Sequence, residues 1–173
     1  PVAAEENAAK NNHGLAYDVQ LTAYALYIGN KELATQILKA FPEKRLFPQI
    51  EPDGKQPLEL ERTTAFGYTL FNLTHMLDMS FIASTEGIDI YNATSKDGRS
   101  ITAALKFVIP YIGKPQSQWP YQQIKEWEKK QDESCWVLRK ASFFDLKAGY
   151  ETIGAKYRTT PVSSRMHLLY SLE

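Results

Sequence analysis

The chain has 173 residues, no net charge at pH 7, 43% hydrophobic residues and 23% charged residues. That length suits one compact domain, and the balanced charge leaves no electrostatic footprint for nucleic acid and no polybasic membrane patch. A single cysteine, Cys135, excludes an intrachain disulfide and a cysteine-built zinc site, and no apolar run approaches the ~18 residues of a membrane span.

The first residues, 2–10, are rich in Ala and Glu and read as the end of a helix, with a break over Asn11–Gly14. From Leu15 to Ile28, near-helical spacing of Leu15, Val19, Ala23 and Leu26 marks one inward face. Gly29-Asn30 supplies C-cap chemistry. A second helix over Lys31–Phe41, with Leu33, Ile37, Leu38 and Phe41 inward, completes a helical hairpin that Pro42 is expected to stop. The proline-rich stretch Glu43–Glu61, with its Asp53-Gly54 turn, reads as a long connection, and connections of that length are often functional.

The longest apolar segment is Thr63–Ser84, in which Phe66, Leu70, Leu73, Leu77 and Phe81 recur at three- and four-residue steps. A polar loop over Glu86–Gly98 leads into a helix over Ser100–Ile112, closed by Gly113. Lys114–Pro120 is a loop. Tyr121–Lys130 and Glu133–Phe144 read as helices with Ile124, Trp127, Trp136 and Leu138 inward, and Leu146–Tyr157 as a shorter one. The tail after Pro161 is expected to dock through Met166, Leu168, Leu169 and Tyr170 as a last helix or strand. With no alternating strand run and no Asn-Gly hairpin signal, the fold class is all-α, built from antiparallel helical hairpins.

Two stretches concentrate polar chemistry. Lys10-Asn11-Asn12-His13-Gly14 sets two amides and an imidazole beside a glycine, followed by Tyr17, Asp18 and Gln20. Glu51–Tyr68 carries Pro52-Asp53-Gly54, Gln56-Pro57, Glu59-Leu60 and Arg62, and ends in Phe66-Gly67-Tyr68. Groups that donate and accept at the entrance to a packed helix can act on a ligand from a rigid base.

In this order and spacing, together with Phe71-Asn72-Leu73, these stretches resemble the alginate lyase family of polysaccharide lyases, the helical-toroid kind. The resemblance is firm over the first half of the chain. It implies one domain over residues 1–173 that forms part of an (α/α) toroid, the carboxy-terminal half of the family's catalytic domain, with the missing amino-terminal half as its structural partner. The implied reaction is β-elimination on a uronate polymer such as alginate: the C5 proton is removed beside a carboxylate and the oxygen on C4 is expelled. The resemblance assigns Asn12, His13 and Arg62 to the carboxylate side and Tyr68 to the acid role, and for some substrates to the base role as well. Tyr17, Gln20 and Glu59 are expected to touch sugar; Glu6, seven residues before His13, shares its face if the helix continues, and is then expected either to orient the imidazole or to touch sugar hydroxyls. No cofactor or metal is implied, the partner is an acidic polysaccharide, and a secreted or periplasmic location follows from such a substrate.

The residue types suit these roles. An amide binds a carboxylate without adding charge, and a guanidinium binds it as a fork. A tyrosine with a reference pKa near 10 needs positive charge nearby to act as a base. An imidazole can be base or charge neutraliser. Taken singly, each has a plainer reading: His13 as a helix cap, Tyr68 as core, Arg62 as half of a surface ion pair, Glu59 as a solvated carboxylate. His75 and His167 have no partner pattern and read as structural, and with His13 they make no paired zinc motif. Trp119 and Tyr121 suit either sugar stacking or packing. Asn72-Leu-Thr74 and Asn92-Ala-Thr94 are glycosylation sequons, the first in a core helix and the second in a polar loop. The rival readings are a carbohydrate-binding relative that does not cut, and a helical-repeat interaction protein.

Overall fold

A computed structural model describes residues 2–161 and 164–171. Among these residues it is all-helical, with one isolated bridge between Thr64 and Gln123. Helix α6 (Ala65–Thr85) is the axis of the fold. It packs against α2 (Asn12–Tyr27), the short α5 (Pro57–Leu60), α7 (Ile101–Val108) and α8 (Trp127–Ser142). Because neighbours surround it, α6 buries residues on most of its circumference, from Phe66, Leu70, Leu73 and Leu77 to Thr69 and Asn72. Among the large residues Phe71 stands out, at 46% exposure.

α2 and α3 (Lys31–Phe41) form the expected hairpin. Gly29, at a φ of 78°, takes the left-handed step that ends α2, and the Asn30 side chain caps α3 by accepting from Leu33 N. The break expected over Asn11–Gly14 is narrower than that. Asn11 is itself the N-cap of α2, its Oδ1 accepting from His13 N, so His13 and Gly14 already lie in the first helical turn.

The inward face of α2 is also rotated from the apolar reading. Ala23 is exposed, while Asn12, Leu15, Asp18, Thr22 and Ala25 are buried. The face is chosen by polar partners that reach α2 from later in the chain, and apolar spacing does not report those. α3 ends at Phe41, as expected, with Pro42 as its C-cap, but the chain does not leave the helical path there. The path continues through a π turn over Pro42–Leu46 into α4 (Phe47–Gln49), with Phe47 N bonding back to Pro42 O. Pro42, at a φ of −56°, fits this helical path, and the N–H that it lacks is the one that would have bonded back to Leu38 O. Within the connection expected over Glu43–Glu61, irregular backbone is therefore limited to residues 50–56 and the turn at Glu61.

Residues 121–126 are non-helical, where a helix was expected, with a bridge at Gln123 and a left-handed step at Glu126. Ala65 N bonds to Gln122 O and Ile124 N to Thr63 O, which turns Ile124 outward to 63% exposure. α8 then runs unbroken to Ser142, with Trp127, Trp136 and Leu138 buried. Phe66 packs edge-on to Trp119 and tilted against Trp127, so Trp119 is a packing anchor and not a sugar platform. The segment expected over Leu146–Tyr157 is a single 3-10 turn followed by α9 (Tyr150–Gly154), which packs on α8. In the tail, α10 (Arg165–Leu169) lies near α8 through Tyr170, whose carbonyl accepts from Arg139, but Leu168 and Leu169 face outward. His75 and His167 bond to the Phe71 and Thr160 carbonyls. No helix among the described residues is long and apolar enough to cross a membrane.

Candidate active site

The site begins at the corner between α1 (Val2–Ala8) and α2. A Cβ on Gly14 would sit 2.0 Å from Ala9 O and 2.4 Å from Arg45 Nη1, so only glycine lets the end of α1 and a guanidinium close on α2 here. Arg45, buried in the π turn, donates from Nε to Asp18 Oδ2, from Nη1 to Ala9 O and from Nη2 to Asn7 O, each at 2.8 Å. A forked cation with a carboxylate and two carbonyls as acceptors is well satisfied, and it locks α1 over the start of α2. α1 then holds Glu6 against His13, with Oε2 2.9 Å from Nδ1. A carboxylate only accepts, so Nδ1 carries a proton and, in the neutral ring, Nε2 keeps its lone pair.

The second part comes from α5. The Glu59 carboxylate accepts from Asn12 N at 2.8 Å and from Asn12 Nδ2 at 2.6 Å, and Glu59 is 1% exposed. Burial pushes its carboxyl above the usual carboxylate range; the two Asn12 bonds and the nearby charges of Arg62 and His13 pull the other way. Glu59 is therefore not a wall of the cleft. It reaches a ligand only by orienting the Asn12 amide, whose second N–H has no acceptor among the described residues. The loop that carries Glu59 is pinned from α6: Asn72 Nδ2 donates to Gln49 Oε1 and to Gln56 Oε1, each at 2.9 Å, and Gln49 Nε2 donates to Asn11 O. Asn72 is wholly buried in this cluster, which removes its sequon from reach in the folded chain.

The third part is Arg62 with Tyr68. The guanidinium carbon lies 4.0 Å from the Tyr68 ring centroid, within cation–π range, and both residues are half-buried. Two recesses open here. One, of about 250 Å³, is lined by Glu6, Asn12, His13, Ala16, Tyr17, Gln20 and Phe71. The other, of about 290 Å³, contains Tyr68, Thr64, Gly67, Lys125, Glu126, Lys130 and again Phe71. The exposed Phe71 ring is common to both, so the His13 and Tyr68 recesses adjoin.

The structure thus gathers Glu6, Asn12, His13, Tyr17 and Gln20 in one recess, sets Tyr68 in its neighbour, and stands Arg62 on the Tyr68 ring. Sequence reasoning missed Arg45 and the two lysines. Nothing in the sequence marks Arg45, since its partners lie 27 to 38 residues away. Phe71 was legible as the residue one helical turn after Tyr68. Among the described residues no three His, Cys, Asp or Glu side chains group to hold a metal.

An all-helical frame of packed hairpins, with polar groups gathered at the starts of two of its helices, is part of an (α/α) toroid. The chain belongs to the alginate lyase family, whose model, described as "Alginate lyase", matches residues 2–119. A crystal structure of an alginate lyase from Bacteroides ovatus is 78% identical and superposes with a TM-score of 0.98 over 100% of this chain. This chain spans 46% of that relative's length. No curated protein matches it.

Proposed function

We propose that this chain carries the reacting groups of a lyase that cleaves a uronate-containing polysaccharide such as alginate by β-elimination between C4 and C5. The observation behind this reading is the run of contacts Glu6–His13, Asn12–Glu59 and Arg62–Tyr68, which brings a base, a carboxylate binder and a phenol to adjoining recesses. The reaction needs the substrate carboxylate neutralised while charge builds up at C5, a base for the C5 proton, and an acid for the oxygen on C4. The free N–H of Asn12 and the Arg62 guanidinium serve the carboxylate. The Tyr68 phenol delivers a proton to the leaving oxygen, and Arg62 over its ring stabilises the negative charge that this leaves behind. The base is His13 Nε2 or, for the other face of C5, the Tyr68 oxygen, which then starts as the phenolate and passes the C5 proton on to the leaving oxygen. Tyr17 and Gln20 line the His13 recess and suit sugar hydroxyls.

No organic cofactor is needed, and a polymeric substrate outside the cell places the enzyme in a secreted or periplasmic setting. Because the Bacteroides ovatus relative is about twice as long, the remaining wall of the cleft comes from the rest of such a catalytic domain. The test is incubation with alginate and other polyuronates while following absorbance at ~230 nm, where the unsaturated product of elimination absorbs. Rising absorbance supports the lyase. Polymer binding without it identifies a non-cutting carbohydrate-binding relative instead.

A further inference from the structure

The segment after Trp119 lies beyond the residues matched by the family, yet it forms one wall of the Tyr68 recess. It is held there by several independent contacts. Trp119 and Trp127, both buried, pack on Phe66 at either end. Between them Gln123, 2% exposed, accepts from Gly67 N at 3.3 Å and donates to Lys125 O at 2.7 Å. Glu126 adopts a φ of 60°, a left-handed conformation that a non-glycine residue holds only when its surroundings impose it. Gly67 leaves room for the Lys130 stem, which a Cβ there would meet at 3.0 Å.

The outcome of these constraints is that Lys125 and Lys130 line the recess beside Tyr68, across Phe71 from His13. Lys130 is paired with Glu133 at 2.6 Å and Glu126 with Lys129 at 3.4 Å; Lys125 has no carboxylate partner among the described residues. A polyuronate carries one carboxylate on every sugar, so the unit next to the reacting one also presents a negative charge that a cation can bind. We propose that Lys125 and Lys130 form a second carboxylate subsite that takes this adjacent uronate, with Phe71 as the ridge between the two rings. This rests on the uronate-lyase reading above.

Binding to sodium polyuronate is measured by calorimetry at several salt concentrations, in the Tyr68→Phe background so that the polymer survives, on the longest polypeptide containing this chain. Lys125→Gln with Lys130→Met removes both charges and keeps both stems. Kd should rise about tenfold, the loss of charge-assisted contacts. The slope of log K against log salt should fall by about 0.7 to 1.4, at roughly 0.7 per neutralised charge on a single-stranded polyanion, the lower figure applying if Lys130 stays with Glu133. On a carboxyl-reduced, neutral polymer the two proteins should bind alike. Thermal melting by circular dichroism checks that the segment remains folded. If Kd stays within about twofold and the slope is unchanged while the Tyr68→Phe parent binds, the subsite is wrong and the lyase reading stands. If the parent binds no polyuronate and the Tyr68 protein releases no unsaturated product, the lyase reading itself falls, and the subsite with it.

Discussion

Glu59 and Asn12, 47 residues apart, are joined twice: one carboxylate oxygen accepts the Asn12 backbone N–H at 2.8 Å and the other its side-chain amide at 2.6 Å. The amide proposed to meet the substrate is therefore set by a buried anion that the substrate never touches. In Glu59→Gln, an N–H replaces one of the accepting oxygens and faces a donor. That variant should lose about 2 kcal/mol of stability, the cost of a buried polar group left unmatched. Its kcat/KM in the complete enzyme should fall on the order of 10²-fold through misplacement of Asn12. Urea unfolding and steady-state kinetics measure the two effects; unchanged kinetics would show that Asn12 needs no such support.

The same carboxyl gives a pH signature. Its pKa in the folded state is raised above the ordinary 4.5, mainly by burial. The folded chain therefore holds this proton more tightly than the unfolded one. The stability that it contributes is present in acid and lost as pH rises through the folded value. Between neutral pH and 4.5, the stability advantage of the parent over Glu59→Gln should grow as pH falls. Urea midpoints taken along that range provide the check, and a flat difference would contradict the raised pKa.

Glu151 should behave in the opposite sense. Burial pushes its carboxyl up, but ion pairs with Arg158 at 2.9 Å and Arg139 at 2.7 Å outweigh this and hold it below the usual range. Stability from this group is present above the ordinary glutamate pKa and disappears as pH falls through the lowered folded value. Glu151→Gln should cost about 2 kcal/mol at neutral pH, with the gap to the parent closing in acid. The same urea series reads it, and a gap that persists in acid would place the effect in packing, not charge.

Gly14→Ala tests the corner that carries Glu6. The new methyl overlaps Ala9 O and the Arg45 guanidinium, and neither can move without breaking the contacts between α1 and α2. A loss of about 3 kcal/mol is expected, typical of overpacking at a tight site. In the complete enzyme, turnover should drop as Glu6 is displaced from His13. A variant as stable as the parent would mean that α1 is held by something other than this corner.

Tyr68→Phe removes the proton carrier and keeps the ring under Arg62. Turnover should vanish while polymer binding survives, because only a group acting in the transition state is lost. His13→Ala should reduce turnover to an extent that depends on the uronate, since the base changes with the face of C5. Single-turnover assays on mannuronate-rich and guluronate-rich polymers separate the two residues. Full activity in Tyr68→Phe would take the acid role away from this phenol.

Much of this protein is written locally. Apolar steps of three and four, with Gly29 and Asn30 between them, specify the hairpin of α2 and α3, because side chains that far apart share a helix face whatever the rest of the chain does. The ordered words around Asn12-His13-Gly14 and Arg62–Tyr68 marked the family and the residues to watch. What the tertiary structure decided are the contacts between distant positions. Glu59 reads as a solvated carboxylate until the loop through residue 56 folds it onto Asn12. Residues 121–126 have helical spacing, but two tryptophans on Phe66 and the backbone bonds to Thr63 and Ala65 outweigh that weak local preference. Pro42 does end α3, yet the burial of Arg45 beside Asp18 and the i to i+5 hydrogen bond from Phe47 N to Pro42 O carry a helical path past it. Local spacing reports the backbone a segment prefers; which charge is buried, and which amide it holds, depends on what the rest of the chain brings within three ångströms of it.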